Sequence, residues 1–204
     1  MAQIDLPQLY LITPPEIELD SFTNVLQGVL DAVDVACLRL ALSSTDADYV
    51  ARTADGLREI CHTAEVALVV EDHVNLVTAL GLDGVHLSDG ARSVGKVRRA
   101  LGLDAIVGAY CGTSRHDGIS AAEASADYVA FGPVTETTLG KGEVAGADLF
   151  EWWSEMIEVP VVAEGGLTTD VIAALSTKTD FFGVGMEIWD QENPAAAIKT
   201  LLGQ

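Results

Sequence analysis

The 204-residue chain is poor in cysteine, lysine and aromatic residues, and it has no long apolar run. Its three cysteines, Cys37, Cys61 and Cys111, have no Cys-x-x-Cys spacing. That argues against a zinc site and suits reduced thiols in a cytoplasm. Only four of its 11 basic residues are lysine, against 31 acidic ones, for a net charge of −20. Such a field repels phosphate backbones and anionic lipid surfaces, so neither nucleic acid nor a membrane is expected as a partner. No apolar stretch reaches the ~18 residues of a spanning helix. The opening MAQIDLPQLYLITPP lacks the basic and long apolar regions of a secretory signal, so the expected location is cytoplasmic. What is abundant is apolar surface: 49% of residues are hydrophobic and 21% charged, the composition of a chain that buries a full core.

Short β-rich runs alternate with helical patterns. The predicted strands are Leu9–Ile12, Val35–Leu40, Val66–Val70, Gly84–Leu87, Ile106–Ala109, Tyr128–Phe131, Val161–Ala163 and Phe181–Val184. Most are continuously apolar, as parallel strands covered on both faces should be. Helices are predicted at Asp20–Asp31, Asp46–His62, Val74–Leu80, Val94–Leu101, Ser120–Ala126, Asp148–Glu158, Thr168–Leu175 and Pro194–Leu202, with Pro194 in the first turn of the last. A doubly wound sheet that binds a dinucleotide would carry a glycine-rich turn after its first strand, and Thr13-Pro14-Pro15-Glu16 has none. Eight βα units therefore predict a (β/α)8 barrel, a single domain over residues 1–204.

In such a barrel the chemistry gathers where the strands end. Gly165-Gly166 after the seventh strand and Gly185 after the eighth read as a phosphate cradle or as simple turns, with Glu164 a charge that would repel a dianion. Arg39 ends the second strand and reads either as a phosphate clamp or as one side of a structural ion pair. Asp72 and Asp89, after the third and fourth strands, are candidate Mg²⁺ ligands, although Asp72 also reads as a helix cap. His86, inside the fourth strand, reads as a buried neutral histidine with a hydrogen-bonded nitrogen. His116 reads as a loop residue. Cys37 and Cys111 read as small packing groups, and Trp152-Trp153 as a helix packing element. Arg92, Lys96, Arg98 and Arg99 form the chain's one basic cluster, a solvated helix face or a contact to an acidic patch of a second copy in a homo-oligomer.

At these positions the chain resembles the thiamine phosphate synthase family. The similar stretches are Leu9-Tyr10-Leu11-Ile12-Thr13, Cys37-Leu38-Arg39, Val70-Glu71-Asp72-His73, Asp83-Gly84-Val85-His86-Leu87, Ala126-Asp127-Tyr128-Val129-Ala130-Phe131-Gly132, Val159-Pro160-Val161-Val162-Ala163 with Gly165-Gly166-Leu167, and Asn193-Pro194. They run nearly end to end and in the family's order. The resemblance implies a barrel in which an aminopyrimidine-methyl diphosphate loses diphosphate on Mg²⁺, and the resulting cation is captured by the nitrogen of a thiazole phosphate. It implies that Arg39 holds diphosphate, Asp72 holds magnesium, Thr137 and Thr138 lie by the thiazole, and Gly165 and Gly166 hold its phosphate.

The departures fall on one chemical class. The family's glutamine, lysine, asparagine and arginine are replaced by Cys37, Ala41, Glu71 and His73. Its Gln-Glu-Asp reads Asp89-Gly90-Ala91, which leaves Asp89 as the substitute second metal ligand. The serine after strand five is Tyr110, and the serine after strand eight is Gly185 or Met186. The lysine of the threonine loop arrives one residue late, as Lys141, and Glu164 stands where a small or apolar residue is usual. Anion-binding groups have been lost and carboxylates gained. Two alternatives to a synthase therefore stand: a barrel that binds a phosphorylated metabolite or a partner protein without the transfer, and a metal-independent thiazole tautomerase using His73, His116 or Glu164 as its base.

Overall fold

The computed structural model describes residues 7–136 and 142–203. Eight parallel strands close into a barrel: β1 (Gln8–Ile12), β2 (Cys37–Leu40), β3 (Ala67–Glu71), β4 (Gly84–Leu87), β5 (Ile106–Tyr110), β6 (Tyr128–Phe131), β7 (Val161–Glu164) and β8 (Phe181–Val184). Each pairs with its sequence neighbour, and β8 returns to β1 with Tyr10 opposite Gly183, which disposes of the open doubly wound sheet. The predicted strands lie on the observed ones to within two residues at either end.

Each strand is followed by helix: α1 (Leu19–Leu30), α2 (Ala47–Thr63), α3 (Val74–Leu80), α4 (Val94–Leu101), α5 (Arg115–Glu123), α6 (Ala147–Met156), α7 (Thr169–Leu175), then α8 (Met186–Trp189) and α9 (Pro194–Leu201). The starts are chemically marked. Asp46 caps α2, Thr168 caps α7 and Asn193 caps α9, each accepting from backbone N–H groups of the first turn. Helix α5 begins five residues before the predicted Ser120, because Ser114 accepts from the Asp117 N–H and sets the first turn earlier. His116 is therefore an exposed helical residue, not a loop residue. Gly118 does not break this helix: a Cβ there would lie 2.6 Å from the Trp153 ring, so glycine lets α5 sit close against α6.

Side chains alternate strictly across the strands. Leu9, Leu11, Leu38, Leu40, Val85, Val129, Phe131, Val161, Ala163, Phe182 and Val184 face the helices in one large core. Tyr10, Cys37, Val69, Tyr128, Ala130 and Val162 form a second, smaller cluster inside the barrel. This two-sided burial explains the continuously apolar strand sequences. All three cysteines are buried and free, and burial pushes their thiols up, away from reactivity. Trp153 packs edge-on to Phe131 and donates from Nε1 to the Val159 carbonyl, as a packing element should.

The basic cluster divides in two. Arg92, Lys96 and Arg99 are exposed, but Arg98 is buried and is not part of a solvated face. It donates to the carbonyls of Ser125, Gly102 and Ala105 and pairs with Asp127, tying α4 to the loops around β5 and β6.

Candidate functional site

The strand ends place Arg39, His86 and Glu164 in one polar layer inside the barrel. Arg39 reaches across from β2 to β7, where Nη2 donates to Glu164 Oε1 at 3.1 Å and Nη1 lies 3.1 Å from Oε2. Its Nε sits 3.6 Å from Glu71 Oε2 on β3. Burial disfavours the Arg39 charge, but Glu164, followed by Tyr10 and Glu71, outweighs it, so the guanidinium is held more firmly protonated than usual. Of the two readings of Arg39, this geometry is the ion pair. Burial raises the Glu71 carboxyl above its ordinary range, with Arg39 opposing.

The same guanidinium fixes a histidine. Arg39 Nη1 lies 2.6 Å from His86 Nε2, and arginine can only donate. Nε2 is therefore the acceptor and Nδ1 carries the proton, which it gives to the Tyr128 hydroxyl at 2.9 Å. Tyr128 in turn meets Tyr10 at 2.6 Å. Burial, with the Arg39 charge second, holds His86 well below its ordinary range, so the ring is neutral as the sequence suggested. Both its nitrogens are engaged. The Tyr128 ring fills the space left by Gly108, where a Cβ would lie 2.0 Å from Cζ. The sequence reading did not connect Tyr10 or Tyr128 to this layer. The available signal was period two: Tyr10, Arg39, His86, Tyr128 and Glu164 all occupy inward positions.

Above the layer opens a cavity of about 490 Å³, lined by Tyr110, Pro133, Glu164, Gly165, Gly166 and Glu187 among others. Gly165 and Gly166 adopt φ of 82° and 80°, a conformation that favours glycine. Their turn presents successive backbone N–H groups to Glu187, a side chain that lines the cavity. The Gly166 and Leu167 N–H groups donate to Glu187 Oε1 at 2.9 and 3.1 Å, and the Gly185 N–H donates to Glu187 Oε2 at 2.8 Å. Gly165, Gly166 and Gly185 are thus brought together. Glu187 occupies their centre, on the short helix α8 that the sequence pattern did not reveal.

The two aspartates lie apart from this cavity's lining. Asp72 follows β3 with φ of 57°. Its carboxylate accepts from the backbone N–H of Ser88 at 2.9 Å and from that residue's hydroxyl. It does not cap α3, since the cap position is His73 and makes no side-chain bond. Asp89 accepts from the Ser93 hydroxyl at 2.6 Å. Both are exposed and both retain unused lone pairs. Among the described residues no group of three or more acidic, histidine or cysteine side chains forms a metal cage. One or two carboxylates nevertheless suit Mg²⁺ that completes its shell with water and substrate phosphate. His73 Nδ1 is tied to the Glu71 carbonyl at 2.7 Å. Neither His73 nor His116 lines the cavity, whereas Glu164 does. Thr137, Thr138 and Lys141 lie outside the described residues.

Comparison with known proteins agrees with this architecture. Residues 9–186 match the family model for thiamine monophosphate synthase. The thiamine-phosphate synthase of Rhodospirillum centenum is 39% identical over 194 residues, covering 94% of each chain. That of Hyphomonas neptunium is 40% identical over 200 residues, covering 94% of this chain and 90% of its own. The solved thiamine phosphate pyrophosphorylase from Pyrococcus furiosus shares the fold, with a TM-score of 0.82 at 22% identity, covering 95% of this chain and 93% of that one. A match that runs through all eight strands and both glycine loops places the chain in the thiamine monophosphate synthase family.

Proposed function

We propose that the protein joins an aminopyrimidine-methyl diphosphate to a thiazole phosphate, releasing diphosphate. The observation that carries this reading is the convergence of the Gly166, Leu167 and Gly185 N–H groups on one point of the cavity wall, in a chain whose synthase relatives align over nearly its whole length. Loops after strands seven and eight of such barrels are a recurrent phosphate site. Asp72 and Asp89 would hold Mg²⁺ at the rim, the serines keeping each carboxylate turned in place. Mg²⁺ held by these two carboxylates would supply positive charge to offset that of the diphosphate.

The acquired carboxylates suit the other half of the reaction. Arg39, Glu71 and Glu164 together carry one net negative charge when both acids are ionised. They repel an anion but favour a positively charged pyrimidine-methyl group above the polar layer. Arg39 acts here as a positioning residue, since it anchors Glu164 through a two-point contact. The test is direct. The full chain, given both substrates and Mg²⁺, should form thiamine phosphate. Absence of product at saturating concentrations of both would overturn the reading.

A further inference from the structure

The hydrogen bonds inside the barrel can run in only one direction. Arg39 has no acceptor, so its Nη1 gives a proton to His86 Nε2. His86 Nδ1–H then gives to the Tyr128 hydroxyl, which in turn gives to Tyr10. The chain of bonds does not end far from its start. The Arg39 Cζ lies 5.7 Å from the centroid of the Tyr10 ring, within reach of a cation–π contact. Four buried side chains from β1, β2, β4 and β6 thus close a circuit on one guanidinium.

That circuit sets how Arg39 meets Glu164. A guanidinium free to choose would form two parallel hydrogen bonds to a carboxylate. Here Nη2 bonds Oε1, while Nη1 is ion-paired with Oε2 at 3.1 Å without hydrogen-bond geometry. Nη1 gives its bond to His86 instead, and Arg39 Nε has no hydrogen-bond partner. The pose is therefore dictated by the histidine as much as by the carboxylate. The histidine is in turn held by Tyr128, whose ring stacks on it at 5.7 Å with an interplanar angle of 24°.

We propose that Tyr128 is a positioning residue for the transfer reaction. Its hydroxyl anchors His86, His86 turns the guanidinium, and the guanidinium orients the Glu164 carboxylate that lines the cavity. Tyr128 does not line that cavity, so it acts without touching substrate. The effect on catalysis rests on the synthase reading above, but the anchoring of Arg39 does not. Tyr128→Phe keeps the ring in the space left by Gly108 and removes only the hydroxyl. His86 Nδ1–H then loses its acceptor, and both the imidazole and the guanidinium gain freedom to turn. A carboxylate that favours a cation formed during the reaction is felt in kcat more than in KM.

The test compares full-length variants under conditions where circular dichroism shows each to be folded. Tyr128→Phe should lower kcat about tenfold, the equivalent of one buried hydrogen bond, with KM changed by less than about twofold. Tyr10→Phe, one bond further from Arg39, should lower kcat roughly threefold. The control is Thr179→Val. It removes a buried hydroxyl before β8, bonded to the Val161 and Phe181 carbonyls, and should lower stability while leaving kcat unchanged. An unchanged kcat in Tyr128→Phe, or an equal fall in Thr179→Val, overturns the catalytic role. Nitrogen-15 NMR tests the anchoring without any turnover. The parent should show His86 as the Nδ1–H tautomer and separate resonances for the Arg39 Nη groups. Those Nη resonances should merge in Tyr128→Phe, and their persistence overturns the anchoring. If Tyr128→Phe does not fold, unchanged kcat and unchanged resonances in Tyr10→Phe overturn the proposal instead. A parent that forms no product removes the synthase reading, and the NMR comparison still decides whether Tyr128 positions Arg39.

Discussion

The barrel interior and its rim meet the same problem, a concentration of positive potential, on different terms. Inside, Arg39 is 5% exposed and held by Glu164, Glu71 and His86 from three other strands. At the rim, three backbone N–H groups are held by Glu187 alone, from a four-residue helix. The interior arrangement is costly to disturb, because any member removed leaves another charged or polar group buried without a partner. The rim arrangement is less costly to disturb, because Glu187 is only half-buried and water can take its place. Charge compensation from within the chain is therefore rigid in one place and loose in the other.

The contrast can be broken most severely at Glu164. Glu164→Ala should lower the free energy of unfolding by about 3–5 kcal/mol, as for other buried pairs cut on one side. Urea denaturation would measure it. A loss below about 1 kcal/mol, the size of an exposed pair, would mean that Glu71 alone compensates Arg39 and that the interior is no more rigid than the rim. Tyr128→Phe comes next. It strands the His86 Nδ1–H and removes the Tyr10 partner, and should cost about 1–3 kcal/mol by the same measurement.

Acidification sharpens the comparison further. His86 stays neutral in the folded barrel, whereas an unfolded chain takes up its proton near pH 6.5. The unfolded state then binds more protons, so stability falls as pH drops below about 6.5, by up to about 1.4 kcal/mol per unit. Above that pH the contribution is constant. Thermal unfolding between pH 7 and 5 should show this slope, and His86→Gln should flatten it. The smallest structural effect belongs to the outermost rim. Asp89→Ala removes one exposed hydrogen bond and should change stability by about 0.5 kcal/mol or less. It should nevertheless weaken Mg²⁺-dependent diphosphate binding in calorimetry, and unchanged binding would remove Asp89 from the metal site.

Most of the architecture was legible because parallel strands and capped helices leave strong local marks. Asp46, Thr168 and Pro194 announced their helices, and the apolar runs announced the strands. Helix α5 is predicted five residues late: the Ser114 cap that starts it was not used, and the close fit of Gly118 against Trp153 is one that no local pattern reveals. Arg98 misled in the same way: a cation at helical spacing looks solvated until the carbonyls that surround it are known. The strand-end rule named Arg39, Asp72, Asp89 and the glycines as candidates. It did not find how they are partnered, because those bonds link residues as far apart as Arg39 and Glu164. Glu187 stood among the residues after β8, but its role depends on a loop some twenty residues earlier.

Closure of the barrel has a consequence for synthesis. The outer edge of β1 pairs only with β8, so Gln8 waits for Phe181, 181 − 8 = 173 residues later. At a translation speed of about 5–20 residues per second, that edge stays open for roughly 10–35 s on every new chain. An unpaired apolar strand is a template for other strands. The nascent protein is therefore most exposed to misassociation just before its last strand leaves the ribosome, and a chain cut short ahead of Phe181 never closes that edge.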